Sequence, residues 1–237
     1  MSKVSEPLPN GLLFVYGETG SEVTETEFNH WYDDEHAPAR ITVPGFHSAL
    51  RYKLHGDGKL PKWLAIYDID SPDTLKTQAY QDLSKNSTAE EKSIISRLEH
   101  LHRRRYERLS SWTKSGKGGL EKEIVGKYVL VVTLETTDPD ALNKAYEEEH
   151  MELLSRVPGW LRARRYQLVD GIHLAGRTPE EVKNKPTAKF LALYDFDNPD
   201  IVQTKELQTA ITTPVWKAVE KTFTEMDLGI YELHKQF

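Results

Sequence analysis

Apolar positions along the chain follow two periods. Short runs rich in β-branched and aromatic residues read as strands: "GLLFVYG" (11–17), "FHSALRYKL" (46–54) and "KWLAIYDI" (62–69) in the first half, then "KYVLVVTL" (127–134), "WLRARRYQL" (160–168) and "KFLALYDF" (189–196) in the second. Between them the period lengthens to that of a helix. Thr24 with Glu27 three residues on is a capping-box signature, which predicts a helix running to about Arg40. Asp138-Pro139 opens its counterpart, and Val-Pro-Gly breaks both helices, at 43–45 and 157–159. Ser71-Pro72 and Asn198-Pro199 open a second helix in each half. "RRYERLSSW" (104–112) and "LGIYELHKQF" (228–237) read as closing strands, although the first could extend a helix. The order is β-α-β-β-α-β, twice.

The chain also matches itself. "YDDEHAPARITVPGFHSALRYKL" (32–54) lies without a gap on "YEEEHMELLSRVPGWLRARRYQL" (146–168). "WLAIYDIDSPDTLKT" (63–77) lies on "FLALYDFDNPDIVQT" (190–204), with the offset grown by 13 residues. The second half therefore carries an insertion near 171–187, read either as a lid or as a plain surface loop. Tyr106-Glu107 pairs more weakly with Tyr231-Glu232. The expected organisation is a unit at 1–112, a Gly- and Lys-rich linker at 113–123, and a second unit at 124–237. A four-stranded sheet with helices on one side leaves its other face bare. Two such units in one chain can cover those faces sheet to sheet, which gives the expected fold: α+β, tandem ferredoxin-like units forming an intrachain α/β barrel.

On a wheel of about 100° per residue, Phe28, Trp31, Tyr32, Glu35 and Ala39 share one face of the first helix. His36 lies at its edge, while Asp33 and Asp34 point to solvent. The second copy repeats this with Tyr146 and Glu149 inward and His150 at the edge. A carboxylate among apolar side chains needs a partner or its pKa rises, and Arg51 and Arg165 on the next strand are the expected partners of Glu35 and Glu149. Two readings stand for Glu35: a structural tie between helix and sheet, or a catalytic carboxylate. For His36 the alternatives are a proton-transfer residue and a helix-end histidine satisfying carbonyls and dipole. Tyr32, one turn before, is a candidate for positioning a substrate or donating to a developing oxyanion.

A glutamate-histidine-x-proline helix end, then Val-Pro-Gly-Phe, then Arg-Tyr, resembles the EthD-like branch of the dimeric α/β-barrel superfamily, here as two copies fused in one chain. The resemblance implies a cavity between sheet and helices in each unit. It also implies relatives that include cofactor-free decarboxylases, cyclases and oxygenases of polyketide or aromatic compounds, besides haem enzymes. In those relatives the corresponding histidine faces the cavity, a role that passes to His36. The leading expectation is a cofactor-independent acid–base enzyme, a decarboxylase, cyclase or dehydratase acting on a polyketide-like or aromatic molecule. His36, Tyr32 and Glu35 are its catalytic candidates, and Trp31, Arg40, Arg51, Tyr52, Trp63 and Tyr67 its substrate-binding candidates. Two alternatives stand beside it: a cofactor-free oxygenase of a phenolic substrate, and a non-catalytic protein for a hydrophobic metabolite or haem. The second copy reads "EHMELL" where the first reads "EHAPAR", so Tyr146, Glu149 and His150 form only a possible second site.

Composition narrows the rest. Without cysteine, disulfides and thiol chemistry are excluded. A net charge of −6 with interspersed signs gives no support for nucleic-acid binding. No apolar run approaches the roughly 20 residues of a membrane span, and the polar, Pro-broken start "MSKVSEPLPNG" lacks a signal core; a cytoplasmic protein is expected. His100 and His102 stand two apart but make no recognisable zinc motif, so no metal and no organic cofactor are expected. The duplication removes the need for a homodimer to complete the barrel and leaves further self-association open.

Overall fold

The computed structural model describes residues 9–58, 61–118 and 124–237. The N-terminal stretch 1–8 and residues 119–123 of the expected linker lie outside them. In the first half, β1 (Gly11–Glu18) leads into α1 (Glu25–Trp31), a π-helical turn (Tyr32–His36) and α2 (Ala37–Ile41), one continuous helical segment. Then come β2 (Leu50–Leu54), β3 (Trp63–Ile69), a 3₁₀ turn (Pro72–Lys76), α3 (Gln78–Lys85), α4 (Ala89–Arg97) and β4 (His100–Thr113). A two-residue β5 (Gly116–Lys117) folds back on β4, so the linker starts as a hairpin. The second half runs β6 (Tyr128–Thr136), α5 (Pro139–Ala145), a π turn (Tyr146–His150), α6 (Met151–Leu154), β7 (Trp160–His173), α7 (Glu180–Lys183), β8 (Phe190–Phe196), α8 (Lys205–Thr212), α9 (Pro214–Glu220) and β9 (Phe223–Gln236).

Around the sheet the order is β1-β3-β2-β9-β6-β8-β7-β4, and β4 pairs back onto β1. Eight antiparallel strands thus close into a barrel, which leaves no free edge among them. The halves meet edge to edge, β2 with β9 and β4 with β7. Alternation along each strand then decides which side chains go inside. Leu12, Phe14, Tyr52, Tyr106, Val131 and Tyr231 fill the barrel interior. Val15, Trp63, Ala65 and Tyr67 face outward and pack beneath the helices of the first half, and Phe190, Ala192 and Tyr194 do so in the second. Tyr52 and Tyr67 therefore belong to different cores.

One open choice is settled and three sequence expectations change. "RRYERLSSW" is strand throughout, within β4. β2 starts only at Leu50; Phe46 touches the sheet through a single bridge to Ile69. The second helix of each half is two short helices, because Thr88 and Thr213 each cap a new helix with their hydroxyl oxygens. The insertion is not all loop: β7 runs on to His173, in register with β4, and α7 follows. Among the described residues no helix is long and apolar enough to cross a membrane.

Candidate active site

Thr24 caps α1 by accepting from the Glu27 amide, as its sequence pattern predicts. The helix then departs from the wheel. The Ala37 amide bonds the Tyr32 carbonyl, an i→i+5 bond in place of i→i+4. A π turn holds one more residue than an α turn, so each residue in it advances by less than the α step. His36 is thereby brought round onto the Tyr32 face and Glu35 is carried off it. His36 is buried, with its ring centroid 4.5 Å from Trp31 and 4.7 Å from Tyr32.

Glu35 consequently is not buried against Arg51. It sits partly exposed at the start of α4 and accepts from Thr88 Oγ1 at 2.8 Å. Arg51 pairs instead with Asp33, expected in solvent, and donates to Asn29 Oδ1 at 2.9 Å. Its guanidinium lies over the rings of Tyr32 and Trp63, at 4.4 Å and 4.7 Å. Arg51, Tyr32 and Trp63 thus make a packed tie between helix and sheet around a void with no room for a ligand. The Tyr32 hydroxyl accepts from Tyr67 at 3.1 Å, and burial raises the Tyr32 pKa. Tyr52 points into the barrel interior, away from all of these.

His36 has a partner that no local motif announces. Its Nδ1 lies 2.7 Å from Glu91 Oε1, 55 residues downstream on α4. Burial, and then the charge of Arg40, pull the His36 pKa down to about 3, although Glu91 opposes them. Burial pushes Glu91 up, but His36 and Arg40 more than offset it and its carboxyl ends below the ordinary value. The pair is therefore a neutral imidazole donating Nδ1–H to a carboxylate, which leaves the Nε2 lone pair free to accept a proton. Arg40 donates to the His36 carbonyl at 2.8 Å and stands 3.9 Å from Glu91. His36, Arg40, Glu91, Tyr80, Ser84 and Arg103 line one cavity of about 150 Å³ between helices and sheet. Of the residues singled out from sequence, His36 and Arg40 reach this cavity; Trp31 backs the histidine ring. Glu91 and Arg103 were missed because α4 and β4 join the site only through the fold.

The second half repeats the frame with different chemistry. The Met151 amide bonds the Tyr146 carbonyl across the same kind of π turn. Tyr194 donates to Tyr146, Arg165 lies over the Tyr146 ring and bonds Asn143, and Glu149 accepts from Thr213 at 2.6 Å. His150, however, bonds the Ala210 carbonyl through Nδ1 at 3.2 Å and stacks flat on Trp216, centroids 3.5 Å apart. Burial lowers its pKa to about 3. The adjoining cavity, about 210 Å³, is walled mainly by aliphatic side chains such as Leu130, Val132, Leu207 and Ile211; Glu220 also lines it, but no arginine does, and His150 makes no hydrogen bond to a carboxylate among the described residues. Haem does not fit here: the indole covers the imidazole, and the volume is below the roughly 300–1,000 Å³ of sites for drug-sized molecules.

No protein-family model and no curated protein matches the chain. Solved structures do. An anthrone oxidase-like protein superposes with a TM-score of 0.62 at 13% identity, over 98% of this chain and 94% of that one. Chlorite dismutase from Candidatus Nitrospira defluvii gives 0.57 at 8% identity, over 96% and 92%. A provisionally assigned monooxygenase from Fusobacterium nucleatum gives 0.55 at 11% identity, over 96% and 94%. At these identities the likeness establishes the fold alone: a closed eight-stranded antiparallel barrel with helices outside it, the dimeric α/β-barrel fold.

Proposed function

We propose that the chain is a cofactor-independent acid–base enzyme for a small, acidic aromatic substrate, with its working site in the N-terminal half. The observation that carries the reading is the convergence of His36, Glu91 and Arg40 on one cavity. His36 Nε2 takes a proton from a phenolic O–H or an activated C–H, and Glu91 holds the ring in the tautomer that can do so. The electron pair stays on the substrate as phenolate or carbanion, and Arg40 faces that charge. About 150 Å³ is room for a substrate of one ring. The likeness to an anthrone oxidase-like protein favours dioxygen as the co-substrate. A CH₂ between arene and carbonyl then becomes C=O, one oxygen atom entering the product and the other leaving as water. Decarboxylation, cyclisation or dehydration would use the same proton transfer without oxygen.

Within this reading the chain is two fused EthD-like, ferredoxin-like units. The matching β-α-β-β-α-β order in the two halves, α7 and the 3₁₀ turn apart, and the equivalent strand orders, β4-β1-β3-β2 and β9-β6-β8-β7, support it. A second reading, carriage of an apolar metabolite in the C-terminal cavity, draws on that cavity's aliphatic wall.

The test is deuterium wash-in, followed by NMR, from D₂O into one-ring phenols and benzylic ketones, first without and then with oxygen, alongside oxygen uptake. Catalysed exchange that His36→Gln abolishes is the expected result. Oxygen consumption tied to it selects the oxygenase form. Ligand binding without exchange in the unaltered protein would sink the enzyme reading.

A further inference from the structure

We propose that His100, His102 and His173 form a binding site for one divalent transition-metal ion of the zinc type, separate from the His36 cavity. His100 and His102 are two apart on β4 and so lie on one face of the strand, and His173 opposes His102 in the β4–β7 register. Their ligand nitrogens all lie within 4.8 Å of one another. The His102 and His173 rings stack at 3.9 Å, with His100 5.3 Å from His173 at a steep angle. They open onto a cavity of about 100 Å³, also lined by Lys185, Pro186 and Thr187 of the segment that only the second half carries. The insertion thus supplies both the third histidine and part of the cavity lining, with Thr187 Oγ1 3.4 Å from His102 Nε2.

Two of the rings have ligand capacity to spare. His173 Nδ1 is buried without a hydrogen-bond partner, and the His100 imidazole makes ring contacts but no side-chain hydrogen bond among the described residues. His102 is committed: Nδ1 accepts from Arg104 Nε at 3.2 Å, and Nε2 faces Thr187 Oγ1 at 3.4 Å. An ion taking Nδ1 in place of Arg104 leaves Nε2–H to donate to Thr187, the outer hydrogen bond that metal-bound histidines ordinarily make. Burial keeps the imidazoles in the neutral, ligating form. Arg104 and Lys185 oppose a cation, but Lys185 is paired with Glu225, and Asp227 lines the same cavity with no ion-pair partner among the described residues. Three neutral imidazoles and an open position suit zinc, cobalt or nickel rather than calcium or magnesium. Zn–N bonds of about 2.0–2.1 Å put the nitrogens of a tetrahedral site about 3.4 Å apart, so the rings turn inward by roughly an ångström on binding.

The test is titration of the full chain, stripped with chelator, with Co(II) as a spectroscopic probe. Expected are visible d–d bands that saturate at one equivalent, bleach on adding Zn(II), and come with a rise in Tm. His100→Ala and His173→Ala, both at partly exposed positions, each weaken binding by roughly tenfold or more while circular dichroism stays unchanged. His47→Gln, at a surface histidine paired with Asp70, leaves the titration as it was. No saturable binding, or binding unaltered in the His100→Ala/His173→Ala double variant, overturns the proposal. Either result leaves the His36 reading untouched, since that rests on proton exchange.

Discussion

Glu91 and Trp216 stand at the same helix position in the two halves, each three residues after the threonine that caps its helix. Each meets the histidine of a π turn, Glu91 by a 2.7 Å hydrogen bond and Trp216 by ring stacking. One frame thus carries an orienting carboxylate on one side and an apolar cover on the other. Arg40 in the first cavity and Leu154 in the second complete the contrast.

Under the proposed function, that contrast predicts a single working site. His36→Gln should lower turnover by about 10²–10⁴-fold. Glu91→Gln, which keeps the shape and loses the charge, should cost about 10–10³-fold, within that same limit. His150→Gln should leave kcat/KM close to that of the unaltered chain. Steady-state assays of the three variants check this, and equal losses at His36 and His150 would refute it.

The pH dependence of activity follows from the tautomer. The base must be unprotonated, and His36 in the fold gains its proton only near 3. Activity is therefore kept as the pH falls through the ordinary histidine range near 6.5, and its acid limb lies well below. A kcat/KM profile over the range in which the protein stays folded is the measurement; an acid limb near 6.5 would contradict a buried, neutral His36.

Stability carries the opposite signature. His36 and His150 each have a folded pKa of about 3, against about 6.5 when unfolded. Below 6.5 the unfolded chain binds protons that the folded chain excludes. Their contribution is thus fully present above 6.5 and is lost as the pH falls toward 3, at about 1.4 kcal/mol per pH unit for each histidine. Urea midpoints at neutral and mildly acid pH measure the slope, and His150→Phe should flatten it.

Glu35 tests the π turn. Because it ties to Thr88 rather than sitting in the cavity, Glu35→Gln should leave the pH profile of activity in place. Thr88→Ala removes the α4 cap and should cost about 1 kcal/mol, read as a lower Tm.

Inside the barrel, Arg164 is fully buried between Asp195 and Asp68, at 3.2 Å from each. Removing one member of a buried ionic network strands its partners, so Arg164→Ala should destabilise by about 3–5 kcal/mol. Chemical denaturation gives the number. A loss below about 1 kcal/mol would mean that water reaches the carboxylates.

By itself the sequence determined the order of elements, the Thr24 and Asp138 caps, the Val-Pro-Gly breaks and the repeat that aligns His36 with His150. Each of these is set by neighbouring residues: alternation, capping hydroxyls, proline and glycine. Only the tertiary structure decided which face of each strand meets the barrel interior and which meets the helices, because alternation defines two faces without ranking them. It also decided the fate of the acidic run before His36. A wheel with a constant step put Glu35 inward and Asp33 outward; the π turn, whose i→i+5 bond has no signature in composition, reversed both and turned His36 into the cavity. Glu91 and the His100–His102–His173 cluster lay beyond any local pattern: packing of α4 beside the π turn brings Glu91 to His36, and pairing of β4 with β7 brings His173 to His102.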